Sequence, residues 1–471
     1  MLYQMNKNKY LLKNSAIFAI GNIGTKLINF FLVPYYTYVL SSEQYGTVDL
    51  LFTVCSLIIP VVMCNINEAV MRFLMDKNGC DDEIGSVAVC FMMFGMIGGL
   101  ILIPVFSSIA ITRPYVLEMY LYIILNAAHS VVFYYLRGKE ELMKYAICSI
   151  LTTVFIGLFN ILLLTVLNAG IRGYFWAYDI SYLITIVIAI IWGREYQVVE
   201  KFKIEKKMIN SMFRFSIALV PNALLWWMIN SSDRIMVSAM VGLSANGLYG
   251  VSYKIPSLLT TLSNIFMQAW TYSAISEKNE NAGDTYTNYV FDKLFGLMAL
   301  VSGALLLFNK ILFRILFSIS YFEAWKYSPA LIFGFFFLTM ATFIGTSYYV
   351  EKNTVGTMLS ALAGAVINII LNFLLIPLVG TNGAAIATAL SYLAIFIYRY
   401  YDTKRYIKIQ IVKKKYLFTV LFLFLLLISG YMSDKLISIT CLVEFGILCV
   451  IQKDLIVQTL ETIRQVIHNK R

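Results

Sequence analysis

Four cations lie inside runs otherwise too apolar to hold them: Lys26, Arg72, Arg234 and Lys254. At the centre of a bilayer each costs on the order of 3 kcal/mol, so four unpaired cations would cost about 10 kcal/mol. The acids in comparable positions, Glu68, Asp233 and Asp179, are too few to neutralise them, which leaves a positive field for an anion. Arginine suits bidentate contact with phosphate and lysine supplies a mobile point charge. The set points to binding of a phosphate-bearing anion rather than to bond-making chemistry. Two histidines, His129 and His468, and seven cysteines without ligand spacing give no basis for a metal centre or a His-based catalytic site. No metal and no resident cofactor is expected, and the reading is of a protein that is not an enzyme.

The spacing of these residues places them on helix faces. Asn22, Lys26 and Asn29 stand at i, i+4, i+7, one face of a helix whose other faces are Ile, Phe and Val. Asn65, Glu68 and Arg72 follow a similar pattern, with Glu68 four residues before Arg72, the favourable order for a helical ion pair near an interface. Lys254, Ser257, Thr261, Asn264 and Gln268 alternate steps of three and four and read as one polar stripe suited to lining a cavity. Asn230, Asp233 and Arg234 fall in a run kinked by Pro221, and either line a cavity or bond to other helices. Ser360, Gly364, Asn368 and Asn372 recur every fourth residue, and their small side chains favour close helix packing. The fragment GNIGTK, Gly21 to Lys26, lacks the G-x-x-x-x-G-K-[ST] spacing and a preceding strand, so it is not a nucleotide site.

The elements that carry these residues are membrane spans. The 471 residues are 60% hydrophobic and 13% charged, with mean hydropathy +0.76, about half the charge of a soluble chain. Sliding-window hydropathy gives about fourteen spans, an all-α polytopic membrane protein. Residues 1–193 form a six-helix lobe, 194–214 a charged linker, 215–400 a second six-helix lobe, and 401–471 a basic loop with helices 13 and 14 and a tail. Most of the 37 Lys and Arg fall in segments on one side, which places both termini in the cytoplasm. Asn309 to Lys326 is the longest external segment, a short interfacial helix without a catalytic set.

The halves repeat. Leu40, Ser41, Tyr45 and Gly46 correspond to Leu243, Ser244, Tyr249 and Gly250, and Gly173, Ala177, Ser181, Tyr182 and Leu183 to Gly383, Ala387, Ser391, Tyr392 and Leu393. The offset aligns Asn230 with Lys26 and Asp233 with Asn29. Six spans separate the copies, so both lobes share one orientation, as parallel repeats about a central cavity.

The segment NIILNFLLIPLVGTNGAAIATALSYL, Asn368 to Leu393, resembles the eleventh-to-twelfth helix signature of the polysaccharide flippase family, Wzx type, within the multidrug/oligosaccharidyl-lipid/polysaccharide exporter superfamily. LSSEQYG at Leu40 to Gly46, DR at Asp233 and Arg234, LYG at Leu248 to Gly250 and YFEAWKYSPALI at Tyr321 to Ile332 join it. The resemblance implies a two-lobed carrier in the bacterial plasma (inner) membrane. It would move an undecaprenyl-pyrophosphate-linked oligosaccharide to the outer leaflet for capsule, O-antigen or related polymers. It further implies that Lys26, Arg72, Arg234 and Lys254 meet the pyrophosphate and sugars, with Trp226 and Trp227 as sugar-stacking or interfacial groups. Membrane lipid and a polyprenyl-linked oligosaccharide are then the partners, glycosyltransferases and a polymerase the neighbours in the pathway, and H+ or Na+ the candidate coupling ion. Nucleic acid is not a partner. The rivals are a lipid II flippase, a multidrug/cation antiporter of the same superfamily and, from a different class, a membrane polymerase or ligase.

Overall fold

The computed structural model describes residues 24–26, 28–76, 81–194, 202–280, 283–351, 353–410, 414–432 and 435–468. They form helices and turns, with no β-strand among them. Helix α1 covers 28–39. It is followed by α2 (Ser42–Val62), α3 (Ile66–Met75), α4 (Asp81–Leu100), α5 (Leu102–Ser108), α6 (Val116–Gly138), α7 (Leu142–Asn160) and α8 (Gly170–Gly193). The chain continues with α9 (Lys206–Ile217), α10 (Val220–Met240), α11 (Leu243–Ser252), α12 (Ser257–Glu280), α13 (Gly283–Leu307) and α14 (Asn309–Leu316). The last helices are α15 (Ser328–Val350), α16 (Thr354–Val379), α17 (Thr381–Asp402), α18 (Lys414–Met432), α19 (Ile439–Ile451) and α20 (Lys453–His468).

Eleven helical stretches of the described residues are long and apolar enough to cross a membrane, and Ser257–Met267 and Ile439–Ile451 are shorter apolar helices. The first expected span is described only in part. Their outward faces carry large apolar side chains such as Phe94, Ile97, Ile101 and Leu378, which a bilayer would cover.

Local sequence sets where these helices start and break. Ser41 opens α2 with a capping box: its hydroxyl accepts from the Gln44 N–H at 3.2 Å, and Gln44 Oε1 accepts from the Ser41 N–H at 3.1 Å. Pro60 cannot donate to the turn before it, and α2 ends two residues later, just before Cys64 and Asn65, which take left-handed backbone at φ 48° and 51°. The second expected span is therefore two helices. The eighth is broken as well, since Pro256 closes a turn over 253–256 between α11 and α12. Gly380, at φ 63°, is the single residue between α16 and α17, a backbone that only glycine adopts freely.

The chain packs as two compact units, Met1–Trp227 and Met228–Arg471, divided within α10. In the first, α9 docks by Met212 into a core of Met63, Ile66, Val70, Ile84, Val87, Val131 and Tyr135. Lys203, in the charged linker, reaches Glu83 of α4 at 2.5 Å. In the second, α15 is the central helix, with 83% of its apolar window buried. The Asn309 to Lys326 segment is α14 and a 3-10 turn, Ile319–Lys326.

The repeat is visible inside each unit. Ser181 Oγ donates to the Ala177 carbonyl at 2.6 Å, and Ser391 Oγ to the Ala387 carbonyl at 2.6 Å. A Cβ on Gly173 would meet Ala169 and Leu163 at 2.8 and 3.3 Å, and one on Gly383 would run into the Leu375 backbone. Both glycines sit where the helix turns back against its predecessor.

Candidate functional site

The second unit is built around Asp233, which is fully buried on α10. Tyr249 and Tyr253 both donate to its Oδ2 at 2.6 Å, Thr388 donates to the same atom at 3.2 Å, and the Arg234 backbone N–H donates to Oδ1 at 2.9 Å. A second layer follows. Asn368 Nδ2 donates to Thr388 Oγ1 at 3.4 Å, while Asn368 Oδ1 accepts from Asn372 Nδ2 at 2.9 Å and from Ser232 Oγ at 3.3 Å. Tyr392 donates to Asn230 Oδ1 at 2.8 Å. Helical i, i+4 spacing explains the supply, since Asn368 with Asn372 and Thr388 with Tyr392 each lie one turn apart. Tyr249 ends up near Tyr253 because α11 closes into the Pro256 turn between them and α12.

This geometry meets the cost of a buried carboxylate with three hydroxyl donors from other elements and one backbone N–H of its own helix. Asn372 Oδ1, also fully buried, has no hydrogen-bond partner among the described residues. A carboxylate, hydroxyl and amide oxygens form a hard donor set, able to hold a proton or a hard cation. The Arg234 guanidinium lies over the Tyr253 ring, 5.3 Å from its centroid. Asp233 is thus bonded to other elements of the unit, Arg234 lies over Tyr253 of the turn, and Asn230 is held by Tyr392 of α17.

Lys254 occupies the turn, between the ends of α11 and α12. The single stripe expected from Lys254 to Gln268 is therefore corrected: it begins at Ser257, because Pro256 interrupts the helix. Ser257 Oγ donates to the Lys254 carbonyl at 2.7 Å and Thr261 Oγ1 to the Ser257 carbonyl at 3.1 Å, and Asn264 is exposed. Asn22 and the side chain of Gln268 lie outside the described residues.

In the first unit Lys26 and Asn29 are exposed on neighbouring turns. The expected Glu68 and Arg72 pair is corrected. Glu68 accepts from the Tyr134 hydroxyl at 3.2 Å, and Arg72, in the last turn of α3, pairs instead with Asp76 at the helix end, 3.2 Å away and well exposed. The left-handed Asn65 starts α3 so that its first turn faces α6. Trp227 is tied down, its Nε1 donating to the Thr53 carbonyl at 3.1 Å and Ser56 Oγ at 3.0 Å.

Sequence reading passed over three features. Tyr174, Tyr178 and Tyr182 form a ladder on α8, with Tyr174 and Tyr178 stacked at 5.2 Å and Tyr36, Phe52 and Tyr122 around them. Its period of four was present but indistinguishable from core. Arg399, 4% exposed, donates from Nε to Ser360 Oγ at 3.0 Å and from Nη1 to the Ala341 carbonyl at 2.9 Å. Thr388 gave no signal, since its bond to Asp233 spans 155 residues.

The comparisons agree with this architecture. A family model described as polysaccharide biosynthesis protein matches residues 11–279, more than half of the chain. An uncharacterized membrane protein of Methanocaldococcus jannaschii is 23% identical over 454 residues, covering 86% of this chain and 87% of its own. Among solved structures, the lipid II flippase MurJ in an inward closed conformation aligns with TM-score 0.70 at 15% identity, over 96% of this chain and 100% of its own. A multidrug resistance MATE family transporter of the MOP superfamily, inward-facing, aligns with TM-score 0.69 at 10% identity, over 87% and 96%. With a family model covering most of the first unit and the start of the second, and two solved transporters sharing its helical fold, the chain belongs to the polysaccharide biosynthesis protein family.

Proposed function

We propose that this chain is a carrier, not an enzyme, that moves an undecaprenyl-pyrophosphate-linked oligosaccharide from the inner to the outer leaflet of a bacterial plasma membrane. Both termini lie in the cytoplasm in this reading. Glycosyltransferases supply the cargo and a polymerase consumes it, for capsule, O-antigen or a related polymer. The observation that carries the reading is the placement of Lys254 in a break between two helices, next to Tyr253, whose ring bears the Arg234 guanidinium. Discontinuous helices mark binding sites in transporters, and a lysine with an arginine nearby suits a pyrophosphate. The family's description supports the saccharide half of the cargo. Asp233 and its oxygen neighbours are the group at which a proton or sodium ion would couple to transport, and Lys26 and Arg72 are the first-unit cations that this reading assigns to the cargo.

The test is export of surface polymer in a strain that lacks the chain and is complemented by variants. Lys254→Gln at unchanged protein level should reduce export about ten-fold, equivalent to 1.4 kcal/mol. Export left intact by both Lys254→Gln and Lys26→Gln would sink the cationic-site reading. The likeness to the lipid II flippase favours one second reading, with lipid II as cargo. Proteoliposomes supplied with each lipid in turn separate the two.

A further inference from the structure

Asp179, on α8 of the first unit, is 2% exposed, and neither of its carboxylate oxygens has a hydrogen-bond partner among the described residues. The contrast with Asp233 is sharp, since there four donors meet the two oxygens. An ionised carboxylate without donors, enclosed in protein, costs several kcal/mol, and such a group gains a proton or a cation instead.

Among the described residues, the surroundings offer Asp179 no compensating charge. Packed on α8 are α1, α2, α6, α7 and the helical segment Ile161–Val166. The titratable groups that act on Asp179 are Glu118 from α6, Cys55 from α2 and Tyr182 from α8 itself, and α1 brings Tyr36 against Tyr174 of α8. Glu118 is a second acid, and its own charge is answered by Arg172 at 3.3 Å. The tyrosine ladder runs along the same helix, with Tyr178 adjacent to Asp179 and Tyr182 a turn away. Asn126 already donates to the Tyr182 hydroxyl at 3.1 Å.

We infer that Asp179 is a proton-binding site of the first unit, holding its proton on the carboxyl group in this conformation and releasing it when the surrounding helices admit water or a cation. The site is separate from Asp233 and independent of the cargo proposed above, because its test requires no transport. Nothing is oxidised or reduced: one proton moves between the carboxyl and solvent.

Infrared spectroscopy of the whole protein in lipid reads this directly. At neutral pH the difference between wild type and Asp179→Asn should contain one carboxylic-acid C=O band, shifted in D2O and fading as the pH is raised. Asn is isosteric with the neutral acid, so this variant should melt with the wild type. Should it fail to fold, Asp179→Glu serves, since it keeps the carboxyl and moves the band. A neutral-pH difference spectrum without that band, or a band that Asp179→Glu leaves in place, overturns the inference.

Discussion

The Thr388 hydroxyl lies 3.2 Å from Asp233 Oδ2, an oxygen that already receives Tyr249 and Tyr253 at 2.6 Å each. Three hydroxyls from different parts of the second unit converge on one atom. Removing one tyrosine lets the others tighten on the oxygen. Removing both leaves a buried carboxylate under-donated. Tyr249→Phe and Tyr253→Phe should each lower stability by on the order of 1 kcal/mol, as hydrogen bonds between membrane helices do, and the double variant should lose more than their sum. Denaturation in detergent measures this, and strictly additive losses would show that the tyrosines act independently.

Close helix approach makes a second prediction. A methyl on Gly383 meets the Leu375 backbone, which cannot move aside as a side chain can, whereas one on Gly430 of α18 meets nothing within 4 Å. Gly383→Ala should cost about 1–3 kcal/mol by overpacking. Gly430→Ala should be neutral or stabilise by up to about 1 kcal/mol, through better helix propensity. Equal melting temperatures for the two variants would contradict the packing described.

The linker gives a prediction with a pH sign. The hydrogen bond and charge of Glu83 raise the Lys203 ammonium above its ordinary value of 10.5. A group whose folded-state value is raised contributes fully below the unfolded value and loses that contribution as pH climbs through the folded one. The window of loss therefore lies above 10.5. Glu83→Gln should lower the melting temperature by the same amount at pH 6 as at pH 9, and a penalty that vanishes by pH 9 would assign the effect to another group.

Much of this architecture could be read from the chain. Long apolar runs bounded by charge gave the spans, and Ser360, Gly364, Asn368 and Asn372, at every fourth residue, were correctly expected to pack: the three polar ones are fully buried. Hydropathy averaged over a window cannot see a break of three or four residues, so the turns at Asn65 and Pro256 were absorbed into single spans. Spacing also misassigned Arg72. A local rule favoured Glu68, but the fold gave Glu68 to Tyr134 and left Arg72 for the acid at its helix end. Arg399 and Thr388 were invisible for a different reason, since their partners lie 39 and 155 residues away.

The separations around Asp233 also bear on how the protein is made. Synthesis proceeds from the N-terminus at about 5–20 residues per second, and segments are committed to the membrane in that order. Tyr249 and Tyr253 follow Asp233 by only 16 and 20 residues, and Thr388 by 155. During the interval the nascent chain can shelter its acid with two tyrosines alone. Asn368 and Thr388, 20 residues apart around the Gly380 corner, can enter as an already bonded hairpin and close the site last.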